Sequence, residues 1–233
     1  MGKVLITGAN RGLGKALLDT FLDAGWTVFA TARNPDALRN DAQATPVALD
    51  LSDYESVRQC AKVILATEST LDLIIHNAGY NPKDSTDDEY FRSTFRLEHF
   101  SGENVAHSLH INALAPVELT SLLLRALAAD GVVVNVSSWL GSIGEKSMPG
   151  HYGYAGSKAL LNMLTKGMAL EFAESGRAAV ALNPGWMATS MGGENASSTP
   201  SDVARRILSL YTRGALHQNN GRFLNSDGSE HPW

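Results

Sequence analysis

Short apolar runs alternate along this chain with longer segments whose apolar residues recur at helical spacing. The runs read KVLITG, TVFATAR, ATPVALDL, LDLIIHNAG, GVVVNVSS, AAVALNPG and, more weakly, GRFLNSDG. Several are apolar on both faces, which is typical of parallel strands covered by helices. The alternation predicts right-handed βαβ units and a doubly wound α/β fold, with a parallel seven-stranded sheet and helices on both faces.

Polar residues mark some helix starts and one irregular segment. We expect Asn34 and Pro35 to cap and open a helix after the second strand. Ser52 and Glu55 fit a capping box, which places another helix start just after the third strand. Residues 80–103 are the most irregular part of the sequence, and we expect a long charged excursion between two ordered elements.

Composition narrows the class of protein. The 233 residues, 44% hydrophobic and 18% charged, suit one globular domain over residues 1–233. A net charge of −5 without a lysine/arginine cluster disfavours nucleic acid and anionic membranes as partners. Cys60 is the single cysteine, so we expect no disulfide, no cysteine zinc site and a cytoplasmic location. The apolar start ends at Thr7, too early for a signal peptide or membrane span.

A glycine-rich turn links the first predicted strand to the first helix in LITGANRGLGKAL. Gly8 permits a tight turn, Gly12 lets the backbone approach a pyrophosphate, and Gly14 lets the helix pack closely. The spacing is Gly-x-x-x-Gly-x-Gly, and such a loop can be purely structural. Because this one follows the first strand of a βαβ series, it predicts a dinucleotide site.

The second predicted strand ends without the carboxylate that usually takes the ribose 2′-hydroxyl of NAD. Ala32 and Arg33 stand there, and Arg11 lies in the glycine loop. Guanidinium groups bind phosphate well, so we predict NADP(H), although Arg33 could instead be a solvated surface charge. Asp50 is a candidate acceptor for the adenine amino group, or an ordinary turn residue before Ser52.

Two tyrosines precede a lysine in HYGYAGSK. On a helix, Tyr154 and Lys158 share a face, whereas Tyr152 and Lys158 do not. A lysine ammonium beside a phenol lowers its pKa from about 10, which makes an acid–base catalyst possible at neutral pH. The same spacing also arises by chance on ordinary helices, so the pair needs support from the rest of the chain.

Seven motifs in order resemble the short-chain dehydrogenase/reductase family over nearly the whole chain. They are TGANRGLG, LDL, HNAG, Asn112 in HINALAP, VNVSS, YAGSK and NPGWMAT. The resemblance implies a single-domain Rossmann fold that moves a hydride between nicotinamide and an alcohol or carbonyl. Within the family, SSWLGSIG, YGYAGSKALLN, PGWMATSMGG and HPW most resemble the C-factor and sniffer-type carbonyl reductases.

The resemblance implies a role for each catalytic residue. Tyr154 would be the general acid in reduction and the base in oxidation, while Lys158 would hold the nicotinamide ribose and lower the Tyr154 pKa. Ser138, expected as the last residue of its strand, would donate a hydrogen bond to the substrate oxygen. Ser137 stays an alternative, because the stretch up to Tyr154 is longer than usual. Asn112 would anchor a water molecule in a helix disturbed near a proline.

The resemblance also implies the cofactor contacts. Thr189 would meet the nicotinamide amide after the Pro184–Gly185 turn. The expected cofactor-binding residues are Gly8, Asn10, Arg11, Gly12, Leu13, Gly14, Arg33, Asp50, Leu51, Asn77, Ala78, Gly79, Tyr154, Lys158, Pro184, Gly185, Met187 and Thr189. His76 stands where the family most often has asparagine, which could change backbone support near the cofactor.

The expected substrate contacts are mostly apolar or aromatic. They are Ser138, Trp139, Leu140, Trp186 and Met191, with Ile143, Met148 and Tyr80 nearby. This set holds no arginine or lysine for a carboxylate, which favours an apolar or aromatic aldehyde or ketone. The segment MATSMGGENASSTP suits either a mobile lid over the substrate or a plain exposed connector.

Two other kinds of site fit the sequence less well. A zinc site at His107 and His110 lacks cysteine and carboxylate partners, and NVSSWLG is not the Gly-x-Ser-x-Gly of a serine hydrolase. The serious alternative is an NADP(H)-binding signalling or sensor protein of the C-factor type, with little turnover. The leucine-rich segments ELTSLLLRAL and KALLNMLTKGMAL predict a homodimer or homotetramer, although both could be used fully inside the core.

Overall fold

The computed structural model describes residues 2–38, 44–67, 70–187 and 198–233. Within these ranges, seven parallel strands form one sheet in the order β3-β2-β1-β4-β5-β6-β7. The strands are β1 (Lys3–Ile6), β2 (Thr27–Ala32), β3 (Ala44–Ala48), β4 (Leu71–His76), β5 (Leu127–Val136), β6 (Ala178–Asn183) and β7 (Phe223–Asn225). The seven-stranded parallel sheet predicted from the apolar runs is confirmed.

Helices cover both faces of this sheet, as the doubly wound prediction requires. The α-helices of the described ranges are α1 (Gly12–Asp23), α2 (Tyr54–Leu65), α3 (Asp88–Phe95), α4 (Gly102–Leu109), α5 (Ala115–Leu123), α6 (Tyr152–Phe172), α7 (Pro200–Thr212) and α8 (Ala215–Gln218). One buried cluster joins the sheet to α1, α7 and α8, and a second joins it to α2, α5 and α6. None of the helices in these ranges is both long and apolar enough to cross a membrane.

Strand β1 shows why its run is continuously apolar. Val4 and Ile6 are buried in the cluster that contains α1, whereas Leu5 between them is buried in the opposite cluster. Successive side chains of a strand point to opposite faces, so a strand covered on both faces needs apolar residues at every position.

The start of α2 differs from the predicted capping box. Asp53 is the N-cap, and its Oδ1 accepts a hydrogen bond from the Glu55 N–H at 2.9 Å. Ser52 instead donates from its N–H and its hydroxyl to Asp50 Oδ1, at 2.9 and 2.7 Å. The capping box on Ser52 is therefore wrong, because the charged Asp50 acceptor takes the hydroxyl that would have capped the helix.

The predicted cap after β2 is present, but it opens a shorter element. Asn34 Oδ1 accepts from the Asp36 N–H at 3.0 Å, and residues Pro35–Leu38 form a single 3₁₀ turn. Residues 39–43 lie outside the described ranges.

The charged excursion contains more regular structure than expected. Asp87 caps α3 by accepting from the N–H groups of Glu89 and Tyr90, at 2.9 and 3.1 Å. Acidic residues in the first turn complement the helix dipole, so the charge that suggested irregularity helps to start this helix. The end of α3 packs beside the start of α6, where the Phe95 and His151 rings lie 4.4 Å apart.

Candidate active site

The predicted functional residues of the described ranges gather at one edge of the sheet. Parallel strands place all their carboxyl ends at the same edge, so the loops after β1, β4, β5 and β6 meet there. The start of α6 joins them through the 3₁₀ turn Trp139–Gly141, which packs against that helix.

The glycine loop after β1 has the backbone shape that the sequence predicted. Gly8 and Gly12 adopt φ of +69° and +53°, values that side chains other than glycine rarely allow. A Cβ on Gly14 would lie 1.9 Å from the Gly8 carbonyl oxygen, so this close approach requires glycine. Helix α1 starts at Gly12 with no side-chain cap and no acidic residue in its first turn, which leaves a positive helix end facing the loop.

The loop after β4 is fastened to the glycine loop. Asn77 Nδ2 donates to the carbonyl oxygens of Thr7 and Gly8, at 3.0 and 3.3 Å. The Ala78 N–H donates to Thr7 Oγ1 at 3.0 Å. Two predicted cofactor segments are thus held side by side.

Asp50 and Arg33 follow the neighbouring strands β3 and β2, and their charges interact. Burial raises the pKa of Asp50, but hydrogen bonds from Ser52 and the charge of Arg33 outweigh it and leave the pKa lowered. Arg33 is exposed. Asp50 therefore accepts the hydrogen bonds from Ser52 that are expected of a turn residue. Its carboxylate also interacts with the charge of Arg33, the predicted phosphate-binding residue.

Three predicted cofactor contacts place their side chains in the core. Leu13 and Leu51 are buried in opposite clusters, and Met187 packs against the cluster of α1 and α7. Their side chains therefore pack in or against the core, which the sequence motifs did not indicate.

Lys158 lies beside Tyr154 on α6. Its Nζ atom is 5.8 Å from the centroid of the Tyr154 ring, and it donates a hydrogen bond to the Val136 carbonyl oxygen at 2.8 Å. The side chain is buried, and this burial lowers its pKa to about 8. Tyr152 instead packs its exposed ring against Phe100, with ring centroids 5.6 Å apart. The helix and register predicted from HYGYAGSK are present.

Asn112 lies in a π-helical turn, His110–Leu114, between α4 and α5. Its Oδ1 accepts from the Tyr80 N–H at 2.7 Å, and its Nδ2 donates to Tyr80 O at 2.8 Å and to Ser157 Oγ at 2.9 Å. The expected helix disturbance is present. The Asn112 side chain therefore joins the loop after β4 to α6. Nothing in the sequence pattern marked Ser157 as its partner.

The two serines after β5 have different environments. Ser137 is buried and donates to Asn162 Oδ1 at 2.7 Å. Ser138 is half-buried, and its Oγ accepts from the Leu140 N–H at 3.2 Å. Strand β5 ends at Val136, so Ser138 is not the last strand residue as expected. Ser138 is nevertheless the more exposed of the two serines.

Some of the expected apolar substrate contacts are exposed at the site, and others lie outside the described residues. Trp139 and Trp186 are 38% and 55% exposed at the carboxyl edge. Lys146 lines the same cleft as Trp139 and Met148, but its Nζ donates to the carbonyl oxygens of Met148 and Gly150, at 2.7 and 3.0 Å. Thr189, Met191 and residues 188–197 of the expected lid, which spans 187–200, lie outside the described residues.

Asn183, which the sequence did not single out, joins two loops of the site. Its Oδ1 accepts from the N–H groups of Trp139 and Gly185, both at 3.2 Å. Its Nδ2 donates to Asn225 Oδ1 at 3.0 Å. The sequence did carry a signal for this role, because Asn183 is a polar residue at the end of a buried strand, directly before Pro184 and Gly185.

His76 supports the helix layer rather than the cofactor loop. Its Nε2 lies 2.7 Å from Thr120 Oγ1, and that hydroxyl donates to the Pro116 carbonyl oxygen. Nε2 therefore carries the hydrogen of this pair. Burial lowers the His76 pKa to about 3, so the ring is neutral at physiological pH.

The histidines weighed as zinc ligands make aromatic contacts. His107 packs near the rings of Tyr80 and Tyr90, and His110 lies 4.2 Å from the Tyr54 ring. Over the described ranges, no group of three or more His, Cys, Asp or Glu side chains is placed to hold a metal ion.

Fold and site together define a dinucleotide-binding α/β protein with an Asn–Ser–Tyr–Lys set at the carboxyl edge of its sheet. The short chain dehydrogenase model matches residues 2–199, and the chain belongs to this family of oxidoreductases.

Individual relatives support the predicted subgroup. C-signal of Myxococcus xanthus is 36% identical over 132 residues, which cover 56% of this chain and 79% of that protein. The carbonyl reductase Sniffer of D. melanogaster superposes with a TM-score of 0.85 at 27% identity and 100% coverage of both chains. An NADPH-bound carbonyl reductase from chicken fatty liver gives 0.84 at 27% identity, covering 99% of this chain and 98% of the other. The predicted resemblance to C-factor and sniffer-type proteins is confirmed.

Proposed function

We propose that this protein is an NADPH-dependent carbonyl reductase that reduces an apolar or aromatic aldehyde or ketone to the alcohol, reversibly. The observation that carries the proposal is the buried Lys158 beside Tyr154, at the edge where Ser138 also stands. A buried lysine with a perturbed pKa next to a phenol, in a site shared with a glycine loop, is typical of acid–base chemistry on a bound nucleotide.

The residues at the glycine loop fit NADP(H). The uncapped start of α1 offers backbone N–H groups to a pyrophosphate, and Gly12, which has a positive φ, carries no side chain that would hinder its approach. Arg33 would pair with the 2′-phosphate, close to the adenine-side Asp50. The NADPH bound to the chicken reductase is consistent with this assignment.

Bound NADPH would supply the hydride that is added to the carbonyl carbon. The Ser138 hydroxyl would donate a hydrogen bond to the carbonyl oxygen, where negative charge grows as the hydride arrives. Tyr154 would give its phenolic proton to that oxygen, which completes the alcohol. In the oxidation direction, Tyr154 would take the proton back as a base.

Lys158 would keep this proton transfer possible near neutral pH. Its pKa of about 8 leaves the ammonium mostly charged at pH 7, despite its burial. A positive charge beside Tyr154 would stabilise its phenolate and so make proton transfer easier near neutral pH. The hydrogen bond to Val136 fixes the ammonium in place while two N–H donors remain for ribose hydroxyls and other acceptors.

The direct test follows NADPH consumption with a panel of aldehydes and ketones. We expect turnover by the unaltered protein and none by Tyr154→Phe, whose NADPH affinity should stay nearly unchanged. Tyr152→Phe is the matched control and should keep most of the rate, because its ring packs on Phe100. If the two variants exchanged behaviour, the catalytic assignment would be wrong.

A second candidate function is favoured by the similarity to C-signal. The protein would then bind NADP(H) as a signalling or sensor protein and turn it over slowly. A pure sensor has no need for Tyr154 as a proton donor, so we rank this function below reduction. NADPH binding without turnover across the whole panel would favour it.

We also propose a homodimer or homotetramer in the cytoplasm. On the outer face of α6, Met163 and Leu170 are 69% and 67% exposed, and Leu124 just after α5 is 39% exposed. Apolar side chains at these positions would be covered by a second subunit. A monomeric mass by light scattering at micromolar concentration would contradict this assembly. The cytoplasmic location rests on the single, buried cysteine.

A further inference from the structure

Residues 226–233, which we name the clamp segment, pack against residues 139–150, the loop that follows Ser138 and carries the proposed substrate side chains. We propose that the clamp segment holds this substrate loop in its working position, with Ser142 as a positioning residue. The inference rests on the proposed function, because the loop matters only if it binds a carbonyl substrate.

The first attachment lies in the middle of the substrate loop. The Trp233 main-chain oxygen accepts hydrogen bonds from the Gly144 N–H at 2.9 Å and from Ser142 Oγ at 3.1 Å. The same Ser142 oxygen accepts from the Glu145 N–H at 3.1 Å. Ser142 is 2% exposed, so water does not compete easily for its hydroxyl.

The clamp segment is itself anchored on the sheet. The His231 N–H donates to the Phe223 carbonyl oxygen at 2.7 Å, and the Phe223 ring contacts both the His231 ring and the Trp233 ring, with centroids 4.6 and 5.6 Å away. Phe223 belongs to β7 and is fully buried. His231 Nε2 also lies 3.3 Å from Glu145 Oε2, but without the geometry of a hydrogen bond.

A second attachment reaches the start of the substrate loop. The turn at the beginning of the clamp segment closes on Asn225, whose N–H donates to the Ser229 carbonyl oxygen at 2.8 Å. Asn225 accepts from Asn183, and Asn183 accepts from the Trp139 N–H. The loop is thus held at Trp139 through two asparagines and at residues 142 and 144 through the Trp233 oxygen.

Holding the loop at two places has a functional consequence. Ile143 and Met148 expose 78% and 42% of their surface, so this part of the loop gains little from apolar packing. The clamp attachments add to the contact that Trp139–Gly141 makes with α6. A loop already fixed in its binding conformation does not lose that freedom when the substrate arrives. Loosening it should therefore raise KM for the carbonyl substrate more than it lowers kcat, with cofactor affinity unchanged.

The experiment compares Ser142→Ala with Ser147→Ala, a control on the same loop whose residue is exposed. Hydrogen exchange of the Gly144 amide in the unliganded protein should be about fivefold faster in Ser142→Ala, the scale of one lost hydrogen bond, and unchanged in the control. KM should rise by a similar factor. Trp233→Ala, which removes the ring stacked on Phe223, should act in the same direction if Ser142→Ala folds poorly.

Unchanged Gly144 exchange in these variants, or an equal effect of Ser147→Ala, would overturn the proposal. An equal loss of kcat and cofactor affinity would also overturn it, since that pattern indicates general disruption. The exchange measurement requires no turnover, so it tests the clamp even if the proposed reductase activity is not found.

Discussion

Lys158 donates its Nζ hydrogen bond to the Val136 carbonyl oxygen, the last carbonyl of β5, at 2.8 Å. The bond fixes the lysine between the end of a central strand and the Tyr154 ring. It also keeps a charged group in a buried position, where burial lowers its pKa from 10.5 to about 8. Such a position costs stability, which gives the arrangement a measurable pH signature.

We predict that Lys158→Met stabilises the cofactor-free protein at pH 7, by about 1–2 kcal/mol. A shift from 10.5 to about 8 corresponds to about 3 kcal/mol, and the lost hydrogen bond to Val136 reduces the gain. Between these two pKa values the unfolded lysine binds a proton that the folded one does not, so wild-type stability rises with pH in this window.

Denaturant titrations at several pH values from about 7 to 10 check this prediction. Below about pH 8 the full penalty is present in the wild type, so the variant should be the more stable protein. The difference should shrink as the pH rises towards 10.5. A difference that stays constant across the window would show that Lys158 does not titrate as its burial implies.

Of the two serines after β5, we expect Ser138 to contribute mainly to catalysis and Ser137 mainly to stability. Ser138→Ala should lower kcat by about 100-fold or more, the scale of one lost donor to a developing oxyanion, while NADPH still binds. Ser137→Ala should lower the free energy of unfolding by about 1–3 kcal/mol, because Asn162 would lose its buried donor, with a smaller effect on kcat. Steady-state kinetics and urea titrations of both variants test this, and reversed effects would assign the catalytic role to Ser137.

The sequence predicted features that depend on short-range patterns. The sheet follows from apolar runs such as KVLITG, and the pairing of Tyr154 with Lys158 follows from one helical turn. The α2 cap was misplaced because Ser52 and Asp53 are both good capping residues, and only the contact with Asp50 decides between them.

Features that depend on distant partners were not predicted. Ser142 meets Trp233 across 91 positions of sequence, and Asn183 meets Asn225 across 42. No local pattern marks such a pair, since each residue alone resembles an ordinary turn or strand-end residue. The motif comparison did suggest which loops form the site, but not how they are tied together.

Arg33 should determine the choice of cofactor. Arg33→Ala should weaken NADPH binding by roughly 1.5–3 kcal/mol, the scale of a charge-assisted hydrogen bond, and should barely change NADH binding. Fluorescence titrations with both cofactors measure this, and the NADH titration controls for folding. Arg58→Ala, which removes an exposed arginine near Glu118 on the surface of α2 and α5, should change neither affinity. Equal or tighter binding of NADH by the unaltered protein would contradict the preference.

The last prediction concerns the substrate. Trp139 and Trp186 offer exposed aromatic surface at the carboxyl edge, while the nearby Lys146 ammonium is already bonded to two carbonyl oxygens of its own loop. Glu145, in the same cleft, repels a carboxylate. We therefore expect kcat/KM for an aromatic aldehyde to exceed that for a keto acid of similar size by about tenfold or more, the scale of a few well-packed apolar contacts.

The variant Trp186→Ala tests whether the tryptophan surface itself recognises the substrate or whether activity is lost for all substrates alike. Loss of the indole should lower kcat/KM for the aromatic aldehyde by about tenfold and leave a small aliphatic aldehyde much less affected, because only the larger substrate reaches that surface. Tyr152→Phe, which alters an exposed ring packed on Phe100, serves as the aromatic control. A preference of the unaltered protein for the keto acid would contradict recognition by the tryptophan surface.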